Sequence, residues 1–279
     1  MKPYILETVS LFKIDNPLLK FSYDVASQGG EDGIIHKIFE VIKPDHYYCV
    51  ELGGWDGKYL SNCYNLIENI QWSGCFIEAN ESKFTELIKT HGANPKVKCI
   101  NQFVDFEGIH SLDNILLSIG APKNFDLLSI DVDGIDFFIW ESLQLHSPNV
   151  IVMEFNPTVP NDIVFVQPKN NSINQGCSLL SLILLGKNKG YELVCCTGCN
   201  AFFVKQEHYH KFNIESNEIY HMYQPLMDGR IFHGYDSYIY VHGMPKLMWA
   251  ELDLSNESFQ VLPKDRRQYS DSQFKFSKL

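Results

Sequence analysis

One stretch, Glu51-Leu52-Gly53-Gly54-Trp55-Asp56-Gly57, constrains this chain more than any other. It follows a β-prone run, Tyr47-Tyr48-Cys49-Val50, and leads toward a helix expected over residues 61–70. Strand, glycine turn and helix in that order place a tight backbone turn at a strand end. Glycine there lets the chain bend sharply and lets a ligand come close to the backbone. The dinucleotide pattern G-x-G-x-x-G fails, because Trp-Asp-Gly follows Gly54. A P-loop fails too, since no Gly-Lys-Ser/Thr closes the turn. What remains is an acidic residue two before a glycine with another glycine four later (Glu51, Gly53, Gly57), a spacing that suits a nucleoside ligand at the end of a first strand.

The rest of the chain alternates. Ile34, Ile35, Ile38, Phe39 and Ile42 fall at helical spacing, so 31–41 reads as a helix that Lys43-Pro44-Asp45 ends. Strands are expected at 47–52, 75–79, 97–104, 125–131 and 150–155, with helices over 81–90, 111–119 and 137–145 between them. The apolar run at 125–131 is what a strand covered on both faces shows. A helix over 178–189 precedes two strands, 191–196 and 201–205, joined through Thr197-Gly198-Cys199-Asn200, a hairpin signal. Together these predict an α/β fold, a doubly wound, mostly parallel seven-stranded sheet with a C-terminal antiparallel hairpin. Residues 157–176 read as an insertion after strand five. The domain division expected is 1–211, with a helical lead-in over 1–45, followed by a C-terminal extension or cap over 212–279.

Composition narrows the function. A chain of 279 residues, 45% hydrophobic and 13% aromatic, can bury a large core. Its net charge of −11 and lack of a dense Lys/Arg run argue against a nucleic-acid surface. No apolar run approaches membrane-spanning length, and the start, Met1-Lys2-Pro3-Tyr4, lacks a signal-peptide core. The eight scattered cysteines form no small-domain disulfide pattern, so a cytoplasmic setting is the expectation. Self-association is left open.

Six segments in order resemble one family: Ser27-Gln28-Gly29-Gly30-Glu31-Asp32-Gly33, the glycine motif with Ser61-Asn62, Phe76-Ile77-Glu78-Ala79-Asn80, Ser129-Ile130-Asp131-Val132-Asp133-Gly134, Met153-Glu154-Phe155-Asn156-Pro157 and Asn200-Ala201-Phe202-Phe203-Val204. The run from Ser27 to Val204 resembles the FkbM-type branch of S-adenosylmethionine (SAM) dependent O-methyltransferases. The resemblance implies the class I methyltransferase fold, which closes with such a hairpin, and SAM as cofactor. It also implies a small polar acceptor, a hydroxyl of a sugar or nucleotide-linked sugar, in polysaccharide or natural-product tailoring.

Carried onto this sequence, the resemblance gives each motif residue a role. Gly53, Gly54 and Trp55 would lie under the methionine part, with Glu51 and Gly57 also cofactor-binding. Ser61 and Asn62 would donate to its carboxylate from a helix N-terminus. Glu78, with Ala79 beside it, would accept both ribose hydroxyls. Val104 and Asp105, ending strand three, would hold the adenine. Asp131 would meet the methionine ammonium. If the strand stays extended past Asp131, its period of two puts Asp131 and Asp133 on one side. With Glu154 and Asn156 they form an oxygen-rich set suited to Mg²⁺ or another divalent cation. Asp131, Asp133 and Glu154, with His233, are the candidate bases for deprotonating the acceptor. Cys196-Thr197-Gly198-Cys199 is a C-x-x-C, but with no second pair at zinc spacing a hairpin turn accounts for it. The competing functions are methylation of a phosphate or phosphoramidate oxygen, an inactive binding protein of the same fold, and an NAD(P)-dependent oxidoreductase.

Overall fold

The computed structural model describes residues 13–267. The chain divides into an α/β unit, 13–157 with 161–224, and a second unit of which 158–160 and 225–267 are described.

The α/β unit alternates as the hydrophobic pattern requires. Helix α1 (Glu31–Ile42) buries Ile34, Ile35, Ile38, Phe39 and Ile42. Then come β1 (Tyr48–Leu52), α2 (Tyr64–Glu68), β2 (Ser73–Glu78), α3 (Glu81–His91), β3 (Val97–Asn101), α4 (Leu112–Ile119), β4 (Leu127–Ile130), α5 (Asp136–Ser142), β5 (Val150–Glu154), α6 (Leu179–Asn188), β6 (Tyr191–Cys196) and β7 (Asn200–Lys205). Short helices α7 (Gln206–Tyr209) and α8 (Ile219–Met222) complete it. Local chemistry starts and stops the helices. The Asn80 side chain caps α3 by accepting from Lys83 N, Ser178 caps α6 through Ser181 N, and Gly120 ends α4 in the left-handed region.

The sheet order is β3-β2-β1-β4-β5-β7-β6. Strands β1 to β5 are parallel, and β7 runs antiparallel to both β5 and β6. This is the doubly wound sheet with a terminal hairpin that the sequence predicts. Its two faces carry separate apolar clusters, one around Trp140, Phe125 and Phe203, the other around Ile34, Phe76 and Phe202. The strand order reverses between β1 and β4, so the carboxyl ends there leave a crevice where ligands settle in open α/β sheets.

Three elements are shorter than their sequence pattern. Strand β3 stops at Asn101, because the Asn101 side chain and Gln102 N both turn back to the Glu78 carbonyl. Strand β4 begins at Leu127; just before it the Asp126 backbone bonds to the Tyr48 carbonyl and Val150 N, and its carboxylate accepts from the backbone of Asp45, His46 and Tyr48. Helix α2 begins at Tyr64, with Ser61 and Asn62 lying in the turn before it.

The segment after β5 is tied down by Gln167. Its buried side-chain oxygen accepts from Gln175 N and Gly176 N, both at 2.9 Å. The second unit holds two small antiparallel pairs, β8 (Arg230–His233) with β9 (Ile239–His242) and β10 (Lys246–Leu247) with β11 (Leu252–Asp253). Among the described residues no helix is long and apolar enough to cross a membrane.

Candidate functional site

A cavity of about 470 Å³ opens at the carboxyl ends of β1, β2 and β4, within the range of small-molecule sites. The glycine turn forms one wall. Gly53 has φ +72°, and a Cβ there would lie 1.7 Å from the Asp131 carbonyl oxygen, so only glycine fits. The N–H groups of Gly53 and Gly54 both donate to the Ile77 carbonyl, at 3.0 and 3.2 Å, which ties the turn to β2. Trp55 is itself in the left-handed region, φ 47°, a strained conformation for its side chain. That conformation aims its N–H at Glu78 Oε2, 2.8 Å away.

Glu78 ends β2 with its other oxygen accepting from Asn80 N at 2.6 Å. Two backbone donors thus fix a buried carboxylate on the cavity wall, while each oxygen keeps a lone pair for a ligand. Ala79, Gln102, Phe103 and Val104 continue this wall. Asp105 is not among the wall residues. Its carboxylate accepts from Phe106 N and from the Asn171 amide, because β3 ends four residues before it and the chain has turned.

Glu51, Ser61 and Asn62 lie on the opposite wall, but chiefly serve one another. Glu51 accepts from the Ser61 hydroxyl at 2.5 Å and Asn62 N at 2.8 Å. Ser61 Oγ accepts from Tyr64 N, the first residue of α2, so the helix end expected to face a ligand is satisfied from within. Burial pushes the Glu51 carboxyl up to about 7 despite these donors, with a smaller contribution from Asp131. Asn62 gives its amide hydrogen to Ser129 Oγ at 3.0 Å, while its buried Oδ1 has no hydrogen-bond partner among the described residues. Gly57 stands off the wall and closes the turn against α3, where a Cβ would come within 2.6 Å of His91 and Leu87.

Asp131, Asp133 and Glu154 each bring a carboxylate oxygen within 4.8 Å of the others. They do not meet by continued extension. Strand β4 ends at Ile130, and Asp133 takes φ 58°, so a turn brings the two aspartates together. Asp136 builds that turn by accepting from Val132 N and Gly134 N, each at 2.8 Å. Burial first, then the charges of Asp136 and Asp133, raises Asp131; burial, then the charges of Asp131, Asp136 and Asp133, raises Glu154, and the two share a hydrogen bond. A proton held between them is the direction this geometry supports. Asn156 donates its amide to the Gln175 carbonyl at 3.0 Å and is not among the residues lining the cavity. His233 lies on β8 of the second unit, exposed, with Nδ1 3.3 Å from the Gly234 carbonyl.

Sequence reasoning missed several wall residues, among them Gln28, Tyr59, Leu60 and Phe103. A signal existed for Gln28, which sits in the Ser27–Gly33 motif. Buried Glu31 accepts from Gln28 N, Gly29 N, the Thr197 hydroxyl and the Asn200 amide, locking that loop to the β6–β7 hairpin. The C-x-x-C falls across that hairpin turn, and burial pushes the Cys199 thiol up to about 12.

No family model matches this sequence, and no curated protein matches it. Similar solved structures include the N-terminal domain of EvdMO1 with SAH bound, at 15% identity and TM-score 0.42, covering 63% of this chain and 80% of that one. The pyocyanin biosynthetic protein PhzM (12%, TM-score 0.36) and the mitomycin 7-O-methyltransferase MmcR (12%, TM-score 0.35) each cover 61% of this chain. This chain spans about half the length of those two, 54% and 53%.

Proposed function

We propose that this chain is a SAM-dependent O-methyltransferase of the FkbM type acting on an uncharged hydroxyl of a sugar-like acceptor. The observation that carries the cofactor is Glu78. A carboxylate fixed by two backbone donors at the end of the second strand, beside a glycine turn, is built to accept a pair of ligand hydroxyls such as a ribose presents. The opposite wall supplies the matching need, since the carboxylate of Asp131 is an acceptor for an ammonium. These acceptors fit the hydroxyls and ammonium of SAM.

Bound SAM supplies a methyl group on a sulfonium. The chain's own task is to hold an acceptor oxygen in line with that methyl and remove its proton. With one proton already between Asp131 and Glu154, the pair retains a basic oxygen that can take the acceptor's proton as the new C–O bond forms.

Charge favours a neutral acceptor. Glu51, Glu78, Asp131, Asp133 and Glu154 are on the wall, and no Lys, Arg or His is among its described residues. Lys83 sits 4.5 Å over the Trp55 ring and is paired with Glu86. A phosphorylated acceptor would meet like charge without a partner, which weighs against phosphate, phosphoramidate and nucleotide-linked acceptors.

A second reading rests on the three oxygens within 4.8 Å, where a divalent cation would relieve repulsion and act as a Lewis acid. Asp131, Asp133 and Glu154 would hold it. Dialysis against EDTA followed by Mg²⁺ add-back separates the readings, since full turnover in EDTA leaves the carboxylate pair as base.

The test of the function is a thermal-shift screen with SAH, NAD and NADP, followed by transfer of labelled methyl from SAM to neutral glycosides and to their phosphorylated forms. Stabilisation by SAH alone and labelling of the neutral set support the proposal. Stabilisation by NAD, or labelling confined to the phosphorylated set, overturns it.

A further inference from the structure

The last turn of α3 grips the glycine loop. His91 is fully buried, stacked on Phe76 with ring centroids 4.6 Å apart, and its Nε2 is 2.8 Å from the Gly57 carbonyl. A carbonyl only accepts, so the Nε2 proton lies in that bond. Nδ1 faces Glu68 Oε1 of α2 at 3.1 Å. One residue earlier, the Thr90 hydroxyl donates to the Asp56 carbonyl at 2.7 Å. Two successive carbonyls of the loop are therefore held by two successive side chains of one helix.

We infer that His91, with Thr90, is a positioning residue for the cofactor pocket: it fixes the loop that presents Trp55 N–H to Glu78. The contacts close a ring. From Glu78 the chain passes through the Asn80 cap and along α3 to Thr90 and His91. Hydrogen bonds carry it to Asp56 and Gly57, and the loop leads back to Trp55, whose N–H returns to Glu78. The ring holds Trp55 in its left-handed conformation, which a loose loop would abandon because that region is unfavourable for a bulky residue. On this route only Glu78, Ala79 and Trp55 line the cavity. The ligand named in the test rests on the cofactor reading above.

Two variants separate positioning from mere packing. In H91Q the amide nitrogen occupies the place of Nε2 and can still donate to Gly57. In H91N the donor falls at the place of Nδ1 and reaches only Glu68. Calorimetric titration with SAH is expected to show at least a fivefold weaker Kd for H91N and a Kd within twofold of wild type for H91Q. Hydrogen exchange of the ligand-free proteins should show faster exchange at amides 53–59 in H91N only. Equal SAH affinity in all three proteins, or equal loss in both variants, overturns the inference. If wild type itself binds no SAH, the cofactor reading fails, and loop exchange still decides: equal protection in wild type and H91N overturns the clamp. Should H91N not fold, T90V removes the neighbouring bond. It is expected to weaken SAH at least twofold with faster loop exchange, and no change in either measure overturns the inference.

Discussion

Trp55 and Glu78 are joined by a 2.8 Å hydrogen bond from backbone N–H to carboxylate, from the loop after β1 to the end of β2. A strained residue on one strand's loop thereby orients the acid on the next strand's end. If Glu78 binds the ribose, Glu78→Ala loses two charge-assisted bonds, about 2–4 kcal/mol of SAH affinity. Glu78→Gln keeps an acceptor for Trp55 and should lose less. Calorimetry reads both, and an alanine variant within twofold of wild type would remove the ribose from this residue.

Glu51 makes stability depend on pH. Its carboxyl is raised from 4.5 to about 7 in the fold. Below 4.5 both folded and unfolded forms are protonated. Between 4.5 and 7 the unfolded chain releases the proton while the folded one keeps it, so stability falls as pH rises; above 7 the loss levels off. Relative to Glu51→Gln, wild type should lose about 2 kcal/mol between pH 5 and pH 7. Urea melts of both proteins at the two pH values check this, and a gap that stays constant or changes the other way refutes it.

Gly53→Ala places a methyl 1.7 Å from the Asp131 carbonyl oxygen at a backbone φ of +72°. Strain and overlap together should cost about 2–4 kcal/mol. The alanine protein is expected to melt well below wild type, and a change under ~0.5 kcal/mol would mean the turn is not as tight as described.

Asp133 raises both members of the neighbouring pair, Asp131 and Glu154, through like charge. Asp133→Asn should therefore let that pair ionise at lower pH. Carboxyl ¹³C shifts followed by NMR titration read this without any acceptor. A midpoint unmoved or moved upward would show that Asp133 does not face the pair.

Local patterns made the architecture legible. The isoleucine spacing of α1, the glycine turn after β1 and the Thr197–Asn200 hairpin each specify their element within a few residues. Glu78 was readable because it closes an apolar strand. What stayed hidden depends on partners far away in sequence. Glu51 reads as a ligand contact, yet its carboxylate is occupied by residues ten and eleven positions on. Gly57 reads as part of the cofactor loop, yet it packs on His91, 34 positions away. Asp105 was lost because Asn101 ends the strand early through side-chain bonds to the Glu78 and Ala79 carbonyls. Asp131 and Asp133 were grouped correctly for the wrong reason, since a left-handed residue rather than an extended strand brings them together.

The central claim is that the glycine turn and Glu78 form a SAM pocket. The most direct measurement is calorimetric titration of the intact protein with SAH, and separately with NAD. Saturable one-site binding of SAH with a micromolar Kd, about −8 kcal/mol, and no heat from NAD is the result this account predicts. No saturation by SAH up to ~1 mM, about −4 kcal/mol, or tighter binding of NAD, would contradict it.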